Sequence, residues 1–235
     1  MKKRTPALLV LIFLLCVPAF ADSKNLVYNE SFDFKDIDSL KISLSYEHLK
    51  ISQIYGDEIV IEIGSNNRKK IPQVELVQED FCTTLEIKTI VKKVTFGTNC
   101  TVYLYLPQDF LPDLIDISMV SGNLLADILR SQNELKLANV SGRTDIASSI
   151  TDFLNASSVS GNITLQKVSA GYFSIENVSG NVFVELEDQI LAKSNISTIS
   201  GKIQVYHKKN ESPFTDDSPE LKVSSISGKV EVIAY

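Results

Sequence analysis

Six serines have the residue type of a nucleophile and recur at nearly constant spacing. They are Ser121, Ser141, Ser160, Ser179, Ser200 and Ser227, each followed by a glycine. A serine activated on a nucleophile elbow needs glycine on both sides and a strand-to-helix turn beneath it. Here valine or isoleucine precedes every serine, and six copies of one nucleophile have no chemical use. The serine is expected to be a small neighbour of a glycine that supplies a bend. Carboxylates are the second candidate, because polysaccharide-cleaving enzymes use paired acids. Asp127 lies five residues after its glycine, Asp145 three after and Glu176 four before. Glu185 shares the offset of Asp127 but belongs to a distant unit. These acids do not stack, and solvated faces are expected. Asparagine is the third candidate. Asn123, Asn162 and Asn181 follow a glycine, while Asn139 and Asn177 stand three before one. Such residues suit turns and bond to backbone, although a ladder of amides could also hold sugar hydroxyls. Turn chemistry is the preferred reading. The glycosylation-like "NVS" and "NIT" triplets follow from asparagine recurring near serine. With only His48 and His207 and no CxxC, neither a metal site nor a cofactor is expected.

The elements that must position these residues are set by the repeat itself. "MVSGNL" (119–124), "NVSGRT" (139–144), "SVSGNI" (158–163), "NVSGNV" (177–182), "TISGKI" (198–203) and "SISGKV" (225–230) are variants of one phrase. Their glycines are Gly122, Gly142, Gly161, Gly180, Gly201 and Gly228, at spacings of 20, 19, 19, 21 and 27. The last interval is long because "HKKNESPFTDDSPE" (207–220) reads as an inserted polar loop, the best candidate for function beyond the scaffold. Two acids there, Asp216 and Asp217, are too few for a calcium site. Aligned on the glycine, positions −7, −5, −2, +2 and +4 are almost wholly apolar, and the residues between are mostly polar. Period-two alternation means strands with one buried face. The step of three from −5 to −2 predicts a break in the strand, with the valine or isoleucine at −2 inside. One such unit buries too little to stand alone, so stacked units must share a core. The fold class expected is all-β, a β-solenoid (β-helix or β-roll-like) of coils of about twenty residues. In the N-terminal half, "LKISQIYGDEIVIEI" (49–63) reads as a weak echo, with Ile51 and Ile54 placed before Gly56. The expected organisation is a leader at 1–21, strand-rich N-terminal coils or a cap at 22–110, and regular repeats at 111–235.

"MKKR", the apolar "ALLVLIFLLCV" and the small residues of "AFA" make the three-part pattern of a secretory signal peptide, cleaved after Ala21. Cys16 offers a rival lipoprotein reading, but Leu15 before it is not the usual small residue. The apolar run is short for a membrane span, and no later stretch approaches that length. The chain carries a net charge of −6, and loss of Lys2, Lys3 and Arg4 makes it more acidic. An acidic chain is a poor nucleic-acid binder. Cys82 and Cys100 remain after cleavage; in an exported protein they are expected to form a disulfide, the alternative being two free buried thiols. The terminal "KVEVIAY" alternates like an outer-membrane strand, but its valines already occupy repeat columns.

The phrase set resembles the bacterial putative-adhesin family of exported β-solenoid proteins. The resemblance is carried by "TVYLYLPQDFLPDLIDISMVSGNLLAD" (101–127), a strand ending in a "lP" phrase followed by repeated "[VI]SG[ND]" units about twenty residues apart. Arg143, Lys202 and Lys229 after the glycine, the cysteine pair and the 207–220 insertion depart from that pattern. The resemblance implies an envelope or surface protein. Together these features point to an exported, non-enzymatic binding module in the periplasm, on the outer surface or secreted. Its partner would be a protein or glycan of the envelope or of a host surface. The alternatives are a periplasmic structural or envelope-stress component and, by fold analogy alone, a polysaccharide-acting enzyme.

Overall fold

A computed structural model describes residues 25–90, 99–186, 193–207 and 220–234. The leader at 1–21 and most of the 207–220 insertion fall outside the described residues. The fold is the expected all-β solenoid: among the described residues, thirteen strands lie in one continuous, curled hydrogen-bonded sheet, with a 3-10 turn at Phe34–Asp36. Each coil contributes to two facing layers, with a glycine at the corner between them in every coil after the first.

Strands β2 (Ser39–Leu44) and β3 (His48–Ile54) form the first coil. Strands β8 (Leu114–Ser121) and β9 (Leu124–Arg130) form the second, parallel and in register, with Leu40 opposite Ile115 and Leu49 opposite Leu124. Strand β10 (Glu134–Ser179) runs unbroken through the next coils. Its Leu135 lies opposite Ile115 and its Thr144 opposite Leu124. Strand β11 (Val182–Leu186) completes the fifth coil. Between the first and second coils the chain makes an excursion. Strands β4 (Glu58–Ser65) and β7 (Cys100–Pro107) extend one layer beyond β3, and β1 (Leu26–Asp33) pairs antiparallel on β4. Strands β6 (Cys82–Lys88) and β5 (Gln73–Glu79) extend the other layer beyond β2.

The echo in the N-terminal half is corrected by this register. Ile51 pairs with Ala126, so it occupies position +4 of its coil, not −5. Gly56 sits between β3 and β4, and Glu47 takes the corner place that glycine holds elsewhere.

The stacking order also departs from chain order. Strand β13 (Glu220–Ala234) pairs with β10 and β11 on one side and with β12 (Lys193–His207) on the other. Leu221 lies opposite Phe173 and Val230 opposite Val182, while Ser194 faces Leu221. The last unit in sequence is therefore wedged between its two predecessors, and among the described residues β12 ends the stack.

Four of the five apolar columns form the core. Ile115, Leu135, Leu154, Phe173 and Leu221 at −7 are fully buried, as are most residues at −5, +2 and +4. The fifth column is a correction. Val120, Val140, Val159, Val178 and Ile226 at −2 are 42–54% exposed, and Ile199 is 81% exposed. The strand alternation does not break after −5. It continues through −3, where Met119, Asn139, Ser158, Asn177 and Ser225 point inward and are buried. Period two, once continued, must place −2 outside.

Candidate functional site: an aliphatic ladder along the stack

The glycine column is needed for close approach. A Cβ on Gly161 would stand 2.0 Å from the carbonyl oxygen of Gly142, and one on Gly180 would stand 2.1 Å from that of Gly161. The same series runs from Gly122, against the Glu47 carbonyl, through Gly142 to Gly228 and Gly201. Gly180 also has φ +123°, which disfavours other residues, whereas Gly161 has no such backbone and is required by space alone. The corners are thus packed backbone on backbone, and the serines beside them are exposed or half-exposed.

Glu47 caps this column, a role that sequence reasoning missed because the residue replaces a glycine. Its side chain is fully buried. Oε2 accepts hydrogen bonds from the Ser45 and Tyr46 amides, both at 2.9 Å, and from Thr89 Oγ1 at 2.8 Å. Burial and the Glu47 charge push the Cys100 thiol up to about 11.

The asparagines serve the scaffold. Asn123 Oδ1 accepts from the Arg143 amide at 3.0 Å, Asn162 Oδ1 from Asn181 at 2.9 Å and Asn181 Oδ1 from Lys229 at 3.1 Å. His48 Nδ1 does the same for the Asn123 amide at 3.2 Å. Each side chain bridges to the next coil, and the Asn181–Lys229 bond belongs to the wedged order. Asn139 and Asn177 are buried; the Asn177 amide donates to the Gly180 carbonyl at 2.9 Å. Neither can carry a glycan in the folded protein.

The sequence-predicted acids remain apart. Asp127 and Glu176 are exposed, and Asp145 pairs with Arg143 at 2.5 Å. Among the described residues no group of three or more metal-ligating side chains is found. The expected Cys82–Cys100 disulfide is also corrected: both are free thiols, Cys82 exposed and Cys100 buried. The physical reason is that they start strands on different layers, β6 beside β2 and β7 beside β3.

The structure instead brings the −2 column together as a surface feature. Val120, Val140, Val159, Val178, Ile226 and Ile199 line one groove of about 700 Å³. Its other outward column, at −4, is Ser118, Ala138, Ser157, Glu176, Ser224 and Ser197, small at every coil but one. Small residues beside an aliphatic ridge leave a trough that crosses six coils, roughly 24 Å at the usual strand spacing. A second depression, of about 650 Å³, lies where β3, β7 and β9 meet and includes His48, Lys50, Arg143 and Asp145. Its charged groups have partners: Arg143 holds Asp145, and Lys50 Nζ lies 5.7 Å from the Tyr103 ring centre. The groove therefore offers hydrophobic contact with a repeat, and neither depression has the arrangement of a catalytic cluster.

No curated protein matches the chain. A crystal structure of a "putative cell adhesion protein" from Clostridium sporogenes superposes with a TM-score of 0.50 at 13% identity, covering 88% of this chain and 99% of that one. A "putative adhesin" from Bacteroides fragilis has a TM-score of 0.49 at 17% identity, covering 91% and 98%. At such identities the first likeness speaks for the fold. The Toastrack DUF4097 family model matches residues 37–213, so the span from β2 through β12 is accounted for, and the chain belongs to the Toastrack DUF4097 family.

Proposed function

We propose that this protein is an exported, non-enzymatic envelope or surface protein, an adhesin-like module whose β-solenoid presents the aliphatic groove to a partner. The observation that carries the reading is the −2 ladder. A stack of coils gains nothing in its own core from six outward valines and isoleucines, and an apolar strip rimmed by polar residues is the usual mark of a contact surface. The leader-like "MKKR…AFA" segment supports export. In this reading residues 111–235 are the contact scaffold and 22–110 its strand-rich cap. The partner is a protein or glycan of the envelope or of a host surface.

Two measurements test it. Protease added to intact cells should cleave the protein; complete protection, with release only on opening the periplasm, rejects surface adhesion and favours a periplasmic structural or stress component. Replacing Val140 and Val159 by Ser should weaken attachment to cells or matrix at least tenfold while leaving the melting temperature within about 2 °C, because half-exposed side chains contribute little to the core. Unchanged attachment rejects the groove as the contact surface.

A further inference from the structure

The two ends of the stack differ. At the N-terminal end the outer strands are β1 and β5, each short and antiparallel to its neighbour, bearing Glu30 and Asp33 or Glu75 and Glu79. Charged, short strands are the usual means of blunting a sheet edge. At the other end lies β12, whose sequence "KSNISTISGKIQVYH" has fifteen residues, no proline and no acid. Among the described residues it pairs only with β13. Its core columns are correspondingly open. Ile203 is 39% exposed at +2, where Val230 and Val182 are at most 1% exposed, and Ile196 and Val205 are only partly buried. The 81% exposure of Ile199 has the same origin, since among the described residues no further coil covers its flank.

We propose that the β12 end is a self-association surface, closed by β12 of a second copy in antiparallel pairing about a two-fold axis. A second copy supplies the same two-layer cross-section and the same exposed columns, so both strands of the coil can pair at once. A two-fold axis reverses the partner strand, which makes the contact antiparallel and self-limiting. Seven residues per strand span about 23 Å, and two layers with their side chains are about 20 Å thick. That footprint buries about 1,000 Å² over both copies, the threshold for a specific interface. Head-to-tail stacking on β1 and β5 would instead meet their acidic edges and run into a filament. The proposal does not rest on the groove's partner, although the two surfaces meet at residues 197–199 of β12.

Light scattering on the purified exported protein at 10–100 μM should give a dimer. Ile199→Lys with Tyr206→Lys, both at exposed positions, should shift it to monomer by at least a tenfold loss of affinity with an unchanged circular dichroism spectrum. Val140→Lys in the groove should leave the dimer intact. In a Cys82→Ser background, single cysteines at 198, 200 and 202 should yield a disulfide-linked dimer for at least one position, and a cysteine at Ser31 in β1 should not. A monomer at 100 μM, a filament, or a dimer lost with Val140→Lys and retained with the β12 pair overturns the proposal.

Discussion

At the residue scale, the repeated glycine is defined by what lies in front of it. A carbonyl oxygen 2.0 Å from a would-be Cβ cannot be relieved by a rotamer change, because it belongs to the backbone of the next coil. Gly161→Val and Gly180→Val should each cost about 3–5 kcal/mol. Gly171→Ala, whose nearest neighbour would be 3.4 Å away, should cost under about 1 kcal/mol. Urea titrations of the three variants check this, and equal stabilities would refute the stacked corner. The two thiols should behave as differently as their burial. Cys82 should react with an alkylating reagent at once and Cys100 only on unfolding. Cys100 also makes stability depend on alkaline pH. Its ordinary value is 9.0 and burial, with Glu47 beside it, raises it to about 11. Below pH 9 the thiol is protonated whether folded or not. Between about 9 and 11 the unfolded chain releases the proton and the folded one does not, so stability falls as pH rises. Thermal melts from pH 8 to 11 should show this fall, reduced in Cys100→Ala relative to its own value at pH 8.

At the scale of elements, the coils are fastened together at up to three depths. The apolar columns stack inside, the corner backbones touch, and where His48, Asn123, Asn162 or Asn181 follows the corner its side chain bridges on the surface. The bridging bonds are the weakest of these. Asn181→Ala should cost about 1 kcal/mol, the net worth of one such hydrogen bond. Asn123→Ala should cost a similar amount, and Asn162→Asp should retain most of its bond to the Asn181 amide. A chemical denaturation series measures all three; no loss in either alanine variant would mean that the amides are free for a ligand. The strands themselves show why −2 misled. An aliphatic residue that recurs six times looks like core on hydropathy alone. Its neighbour at −3 holds the inward place because period two continues through the corner, and at Asn139 and Asn177 the buried amide finds a partner there, Thr144 Oγ1 and the Gly180 carbonyl.

For the whole molecule, the decisive fact is the order of the stack. Adjacent parallel strands lie about 4.8 Å apart, within reach of a disulfide, while strands two coils apart lie about 9.6 Å apart and are out of reach. Asn181→Cys with Lys229→Cys should therefore oxidise to a bridge, and Asn181→Cys with Lys202→Cys should not, both in a Cys82→Ser background. The reverse result would restore stacking in chain order. The wedged arrangement gives β13 neighbours on both sides and, among the described residues, leaves β12 with one, so the end of the stack has the chemistry of an internal repeat.

By itself the sequence determined the all-β class, the length of the coil, the glycine corner and four inward columns. These follow from short-range period and from the bulk of side chains, and both are written in the order of residues. It did not determine which copies touch. The phrases at 198–203 and 225–230 are near-identical, so either could stack on Gly180, and only the packed structure shows Gly228 there. Nor did the hydropathy of the phrase place −2, since whether alternation runs on through the corner, with Asn177 inside and Val178 outside, is settled by the packed strand. The separation of Cys82 from Cys100 has the same origin: eighteen residues apart in the chain, they were sent to different layers by the pairing of β6 with β2 and of β7 with β3. Pairing between distant segments is a property of three dimensions, and it decided both the core's last column and the surface that remains for a partner.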